Sequence, residues 1–174
     1  MLGVLLVFGV RAAETAPPFQ QAVTNGPSAT ANLFQAVRTG DVVMLRAAIA
    51  EKADVNACEA GGLPSLLLLL HSAATPLDEA RRQCVVILLE SGAAVDSTDD
   101  LGRTPLIHAA RIGDLETIKI LVEAGAYVKT RDGLHKTALF YGIESNRPDI
   151  VRYLATHGDL VSLTIQERKL LGKH

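Results

Sequence analysis

The chain has no tryptophan, and an aromatic share of 4% stands beside a hydrophobic share of 48%. Its core must therefore be built from Leu, Val, Ile and Ala, which suits close packing of short helices. Excess positive charge is missing too. With 17 Lys and Arg against 19 Asp and Glu, the formal net charge is −2, so no basic field is available for a phosphate backbone and nucleic acid is excluded as a general partner. The two cysteines, Cys58 and Cys84, are too few for a disulfide framework. The longest unbroken apolar run is Leu2 to Val10. It is far short of the ~20 residues that span a bilayer as a helix, so no stable membrane insertion is expected. No G-x-G-x-x-G, P-loop, G-x-S-x-G or H-E-x-x-H pattern occurs, so no enzyme class has positive support and no cofactor is expected.

What is present is repetition. The stretch from Asp99 to Thr130 holds a complete helix-turn-helix unit. Thr104 is placed to cap a first helix, with Pro105 at the first helical position, where its missing N–H costs nothing. Gly113 can adopt the left-handed conformation that ends that helix, and Asp114 can cap a second one. Leu115, Ile118, Leu121 and Val122 then fall on one face before Gly125 closes the unit. Gly92, Gly125 and Gly158 stand 33 residues apart, and the offset carries Thr104 to Thr137, Leu106 to Leu139 and Leu121 to Leu88 and Leu154. An offset of 73 pairs Gly113-Asp114 with Gly40-Asp41 and Val128 with Val55. The column through position 118 reads Leu45, Val85, Ile118 and Val151, all branched and apolar, as a buried helix face requires. Because Gly62 and Gly102 align at 40, the second unit carries seven extra residues, between about His71 and Cys84.

These residues resemble an ankyrin-repeat protein, a family with a 33-residue period and a T-P-L-H-x-A signature. Thr104, Pro105, Leu106 and Ala109 match that signature, with Ile107 in place of its His, and Gly92-Ala93-Ala94-Val95-Asp96 and Ala53-Asp54-Val55-Asn56-Ala57 resemble the usual unit ending. The resemblance covers about Ala29 to Thr164 and implies an all-α solenoid of four ankyrin-like helix-turn-helix repeats with hairpin-like connecting loops, spanning about 29–58, 59–98, 99–131 and 132–164. It further implies binding of another protein along loop tips and first helices, without turnover. A monomer is expected.

Local departures from the repeat carry their own expectations. Leu2 to Val10 followed by Arg11-Ala12 reads as a secretory signal over residues 1–12, implying a periplasmic or secreted protein. Against this, no Lys or Arg precedes the run, and without cleavage the reading becomes a cytoplasmic regulator. Residues 13–28 read as a linker, rich in Pro, Gly and small polar side chains. Lys52 replaces the closing glycine of the first unit, so that unit either bends differently or tolerates strain. Five consecutive leucines, Leu66 to Leu70, require cover on more than one side. The insertion, Ser72 to Gln83, reads as a loop running into a lengthened, charged second helix, while Pro148 is acceptable only in a first helical turn. Residues 165–174 read as a polar cap or tail closing the stack.

For chemistry, Cys84 is expected in the core and Cys58 in a hairpin, as separate thiols. His71, His108, His135, His157 and His174 show no ligand spacing with the cysteines or with carboxylates, so they read as repeat or surface residues and no metal is expected. Asp96, Asp99 and Asp100 form the densest carboxylate cluster, which repeat hairpins would place in solvent, with Asp99 as a turn-forming residue bonding nearby N–H groups. The candidate partner-binding residues are the loop tips and exposed first-helix ends. They are Asp100, Leu101, Arg103, Arg111 and Ile112 in the third unit, and Leu134, Lys136 and Glu144 in the fourth. Leu101 and Leu134, 33 apart, are expected at tips on one edge beside Arg103, Arg111 and Lys136, with the Ser72 to Gln83 insertion as the alternative surface.

Overall fold

Our computed structural model describes residues 28–59 and 62–157. The segments expected to be a signal at 1–12, a linker at 13–28 (apart from Ser28) and a cap or tail at 165–174 lie outside the described residues. Eight helices follow one another among the described residues: α1 (Ala29–Thr39), α2 (Val42–Ala50), α3 (Ser65–His71), α4 (Glu79–Glu90), α5 (Pro105–Ile112), α6 (Leu115–Glu123), α7 (Ala138–Glu144) and α8 (Pro148–His157). Among the described residues, β structure is confined to two isolated bridges, Cys58 with Pro64 and Arg131 with Thr137, each closing a hairpin-like loop. The fold is an all-α repeat stack. Helices α1, α3, α5 and α7 contact in sequence to form one layer, and α2, α4, α6 and α8 form the other.

The caps explain the element boundaries. Thr104 accepts from the Ile107 N–H, Thr137 from Phe140 and Asp41 from Met44, so α5, α7 and α2 each start where a side chain satisfies a backbone donor left free in the first turn. Gly113 ends α5 at φ 76, and the equivalent Gly40 ends α1 at φ 74. In the fourth pair Asn146 occupies that place at φ 52, which a short polar side chain tolerates better than most. Lys52 adopts φ 62 where Gly92 and Gly125 stand in later units, so the first unit accepts strain and keeps the turn. Pro148 is the first residue of α8.

The core is aliphatic. Leu45, Val85 and Ile118 are fully buried, whereas Val151 is only partly so, and Ile150 and Leu154 take the buried positions of α8. Leu66, Leu67, Leu69 and Leu70 are all buried, which accounts for the leucine run, and Cys84 is buried while Cys58 is exposed, both as free thiols. The insertion lengthens α4 to 12 residues, against 9 for α2 and α6. It also reaches forward: the Leu77 N–H donates to Asp114 Oδ2 at 2.8 Å, and the same oxygen accepts from the Thr117 hydroxyl at 2.8 Å. Asp114 is 3% exposed, so a cap of α6 doubles as the anchor of the preceding unit's loop.

Seams between units are tied by polar side chains as well. Asn56 donates to the Gly92 carbonyl at 2.9 Å and accepts from the Ala94 N–H at 2.8 Å. One unit later Asp96 accepts from the Tyr127 N–H at 3.1 Å. At the opposite edge the Gly133 N–H donates to the Leu101 carbonyl at 2.7 Å, linking two hairpins directly. Asp96 is therefore engaged with the neighbouring unit and not simply solvated, a correction to the sequence expectation.

Candidate functional site

The hairpin entering α5 is organised by one carboxylate. Asp99 Oδ1 accepts from the backbone N–H groups of Leu101 and Arg103, both at 2.9 Å, which folds the turn locally. Its other oxygen, Oδ2, meets Arg103 Nε at 2.8 Å and His108 Nε2 at 3.0 Å, with His71 Nδ1 3.9 Å away. The Asp99 side chain is 4% exposed and that of His108 2%. The burial of Asp99 differs from the expectation that placed the carboxylate in solvent, while its bonds to two backbone N–H groups are those of the expected turn-forming residue, and His108 occupies a buried repeat position. The reason is that α3 and α5 close over the hairpin, so the third unit's turn is covered by the second unit's helix.

Burial pushes the Asp99 carboxyl up, but the hydrogen bonds from the Arg103 and Leu101 N–H groups, from His108 and from the Arg103 guanidinium outweigh it and hold it below the ordinary carboxylate range. Burial drives His108 down to about 4, against the opposing pull of Asp99. At neutral pH the pair is thus an ionised carboxylate and a neutral imidazole. Since the carboxylate can only accept, His108 Nε2 carries the proton and donates it. The His71 and His108 rings lie edge to face with centroids 5.3 Å apart. One donor atom from each of His71, Asp99 and His108 falls within 4.8 Å of the other two. Sequence spacing missed this group, because its members belong to the end of one helix, the next hairpin and the helix after that.

The fourth unit repeats the design with different chemistry. Asp132 Oδ1 accepts from the Leu134 and Lys136 N–H groups, both at 2.9 Å, and Oδ2 accepts from the Tyr141 hydroxyl at 2.5 Å. Tyr141 stands where His108 does one unit earlier, and Arg111 where His71 does. Burial, then the bond to Asp132, pushes the Tyr141 phenol up to about 12. Burial raises the Asp132 carboxyl, yet its bonds to Tyr141, Lys136 and Leu134 leave it below the ordinary range. Two carboxylates, each pinned by two backbone donors, thus hold different first-helix side chains.

A family model described as ankyrin repeats, three copies, matches residues 70–164, more than half of the chain. The chain belongs to the ankyrin-repeat family. Ankyrin repeats generally mediate protein–protein interaction, and the family is typically non-catalytic. No curated protein matches this ankyrin-repeat chain.

Within the ankyrin stack, Leu101 is 54% and Leu134 68% exposed, both at loop tips. Asp100, Leu101 and Arg103 line a recess of about 370 Å³ together with Leu63, His71 and Asp99. Arg103 faces it from a side chain only 14% exposed and bonded to Asp99, so its charge is already partnered. Arg111, Lys136 and Glu144 gather around the fourth unit's aromatics instead. The Arg111 guanidinium carbon is 5.9 Å from the Tyr141 ring centroid, Lys136 Nζ is 4.5 Å from that of Phe140, and Lys136 pairs with Glu144 at 3.4 Å. Ile112 is partly buried against the core, apart from both groups.

Proposed function

We propose that this ankyrin-repeat chain binds a partner protein, without turnover, along the edge formed by the hairpin tips entering α5 and α7 and by the exposed ends of those helices. The observation that carries this reading is the pair of exposed leucines, Leu101 and Leu134, presented at equivalent tips of hairpins that Asp99 and Asp132 hold rigid. An apolar side chain there gains nothing from solvent, and rigid presentation lowers the ordering cost of docking. Arg111, exposed beside Tyr141, and the Lys136–Glu144 pair supply a polar rim.

The test is site-directed photo-crosslinking in the native compartment, with the probe at position 101 or 134 and, as a control, at Glu116 on the other layer. Labelling of one protein from both tips is expected, with labelling from position 134 lost in Leu101→Asp and labelling from either tip lost in Arg111→Glu, both variants keeping unchanged helicity. Each variant should weaken binding by ~1 to 3 kcal/mol. Labelling from position 116 alone would move the interface to the other layer. The proposal that the protein acts in the periplasm or secreted space rests on the Leu2 to Val10 run alone. Intact-mass measurement of protein recovered from its own cell decides it, a chain starting at Ala13 being the expected result and an uncleaved one in the cytosol the refutation.

A further inference from the structure

We propose that His71, Asp99 and His108 form a binding site for one divalent transition-metal ion of the zinc class, open on its solvent side. The site is independent of the partner-binding reading. Two imidazoles and a carboxylate are a donor set that zinc and its neighbours in the first transition row accept, and three protein ligands with a free position is the arrangement of an open site. The three donor atoms already lie within 4.8 Å of one another, and an ion bridging them needs a smaller spread. His71 is the residue free to close that gap: it ends α3 and its side chain is 45% exposed.

The outer shell supports the assignment. Asp99 Oδ1 is fixed by two backbone N–H groups, so the carboxylate cannot rotate and Oδ2 is the oxygen presented to an ion. His108 Nε2 already faces Oδ2 from 3.0 Å, and with the single proton of the neutral ring on Nδ1 instead it offers a lone pair to the ion with no net loss of a proton. The competitor is Arg103, whose Nε lies 2.8 Å from the same oxygen. Arg103 lines the roughly 370 Å³ recess, which gives its guanidinium room to withdraw and leaves the remaining coordination positions to water.

The neighbouring unit shows that the ankyrin fold does not itself require these ligands. Register places Arg111 and Tyr141 around Asp132 where His71 and His108 surround Asp99, and an arginine with a phenol pushed up to about 12 is no ligand pair for zinc. Hairpin integrity needs only the carboxylate, so the two histidines are a choice beyond the repeat.

The experiment titrates chelator-treated full-length chain, carrying Cys58→Ser to remove the exposed thiol, with zinc chloride against a chromophoric chelator, and follows the imidazole signals by NMR. One equivalent should be taken up, moving the ring resonances of His71 and His108 and leaving those of His157 in place. His71→Ala, at an exposed position, should fold normally and lose at least about tenfold in zinc affinity, while His157→Ala should match the parent. Uptake that is insensitive to His71→Ala, or that leaves the His108 ring unmoved, would place the ion elsewhere and overturn the proposal. So would the absence of binding at a one-to-one ratio.

Discussion

The Asp99 and Asp132 hairpins are built on one plan and finished differently. Each carboxylate accepts two backbone N–H groups through Oδ1 and offers Oδ2 to a residue nine positions on, His108 in one case and Tyr141 in the other. What is common closes the turn. What differs, imidazole against phenol and His71 against Arg111, lies where two units meet and is not needed for the turn, so that is where a repeat protein is free to acquire chemistry.

The comparison breaks most visibly if the shared element goes. Asp99→Ala and Asp132→Ala each strand two backbone donors and a first-helix side chain, at an expected cost of about 3 kcal/mol, or roughly 6 to 12 °C in melting temperature. Chemical and thermal denaturation check this, and a cost below about 1 kcal/mol in either variant would mean that the carboxylate does not organise its hairpin. The differing residues should rank below it. Tyr141→Phe loses a buried bond to an ionised acceptor and should cost about 2 kcal/mol, whereas His108→Leu, the residue type at the matching Leu68, should cost about 1 kcal/mol because Arg103 still neutralises Asp99. The reverse order would show that the imidazole, not the phenol, is the stronger tie.

Alkaline pH separates the two hairpins without mutation. Tyr141 has its folded value raised to about 12 from an ordinary 10.0, so the fold favours the neutral phenol. The stability this contributes is fully present below pH 10 and is lost as pH rises toward 12. Denaturant midpoints at about pH 9 and 11 should therefore fall more steeply for the parent than for Tyr141→Phe, and equal slopes would contradict the assignment. Smallest of all, Lys52→Gly should stabilise by about 0.5 kcal/mol by relieving a left-handed lysine, while Leu101→Ser and Leu134→Ser should stay within ~0.5 kcal/mol of the parent. A clear destabilisation on removing either leucine would show that it packs on its own stack.

The layering of the fold was legible in the sequence because its determinants are local. Thr104-Pro105, Gly113-Asp114 and the column through Leu45, Val85 and Ile118 each state their role within a few residues and then recur. The lengthened α4 followed from a change in the offset. The His71, Asp99 and His108 group was not legible, for a physical reason. Its column holds Leu68, His108 and Tyr141, which looks like noise until packing puts the end of one unit's helix over the next unit's hairpin. The signal was available in the register, since position 71 maps onto 111 and both flank a hairpin aspartate. Likewise, Asp96 looked solvated because its donor, the Tyr127 N–H, belongs to the following unit.

The strap from the insertion to Asp114 has a mechanical consequence. A stack whose units touch only their neighbours peels one unit at a time under a pulling force, each seam parting at its own load. Here the Leu77–Asp114 bond ties the α3–α4 loop to the residue that caps α6, so stretching the second unit must first break a bond to the third. The two yield as one piece, and a force–extension trace should show a single double-length rip at the middle of the array.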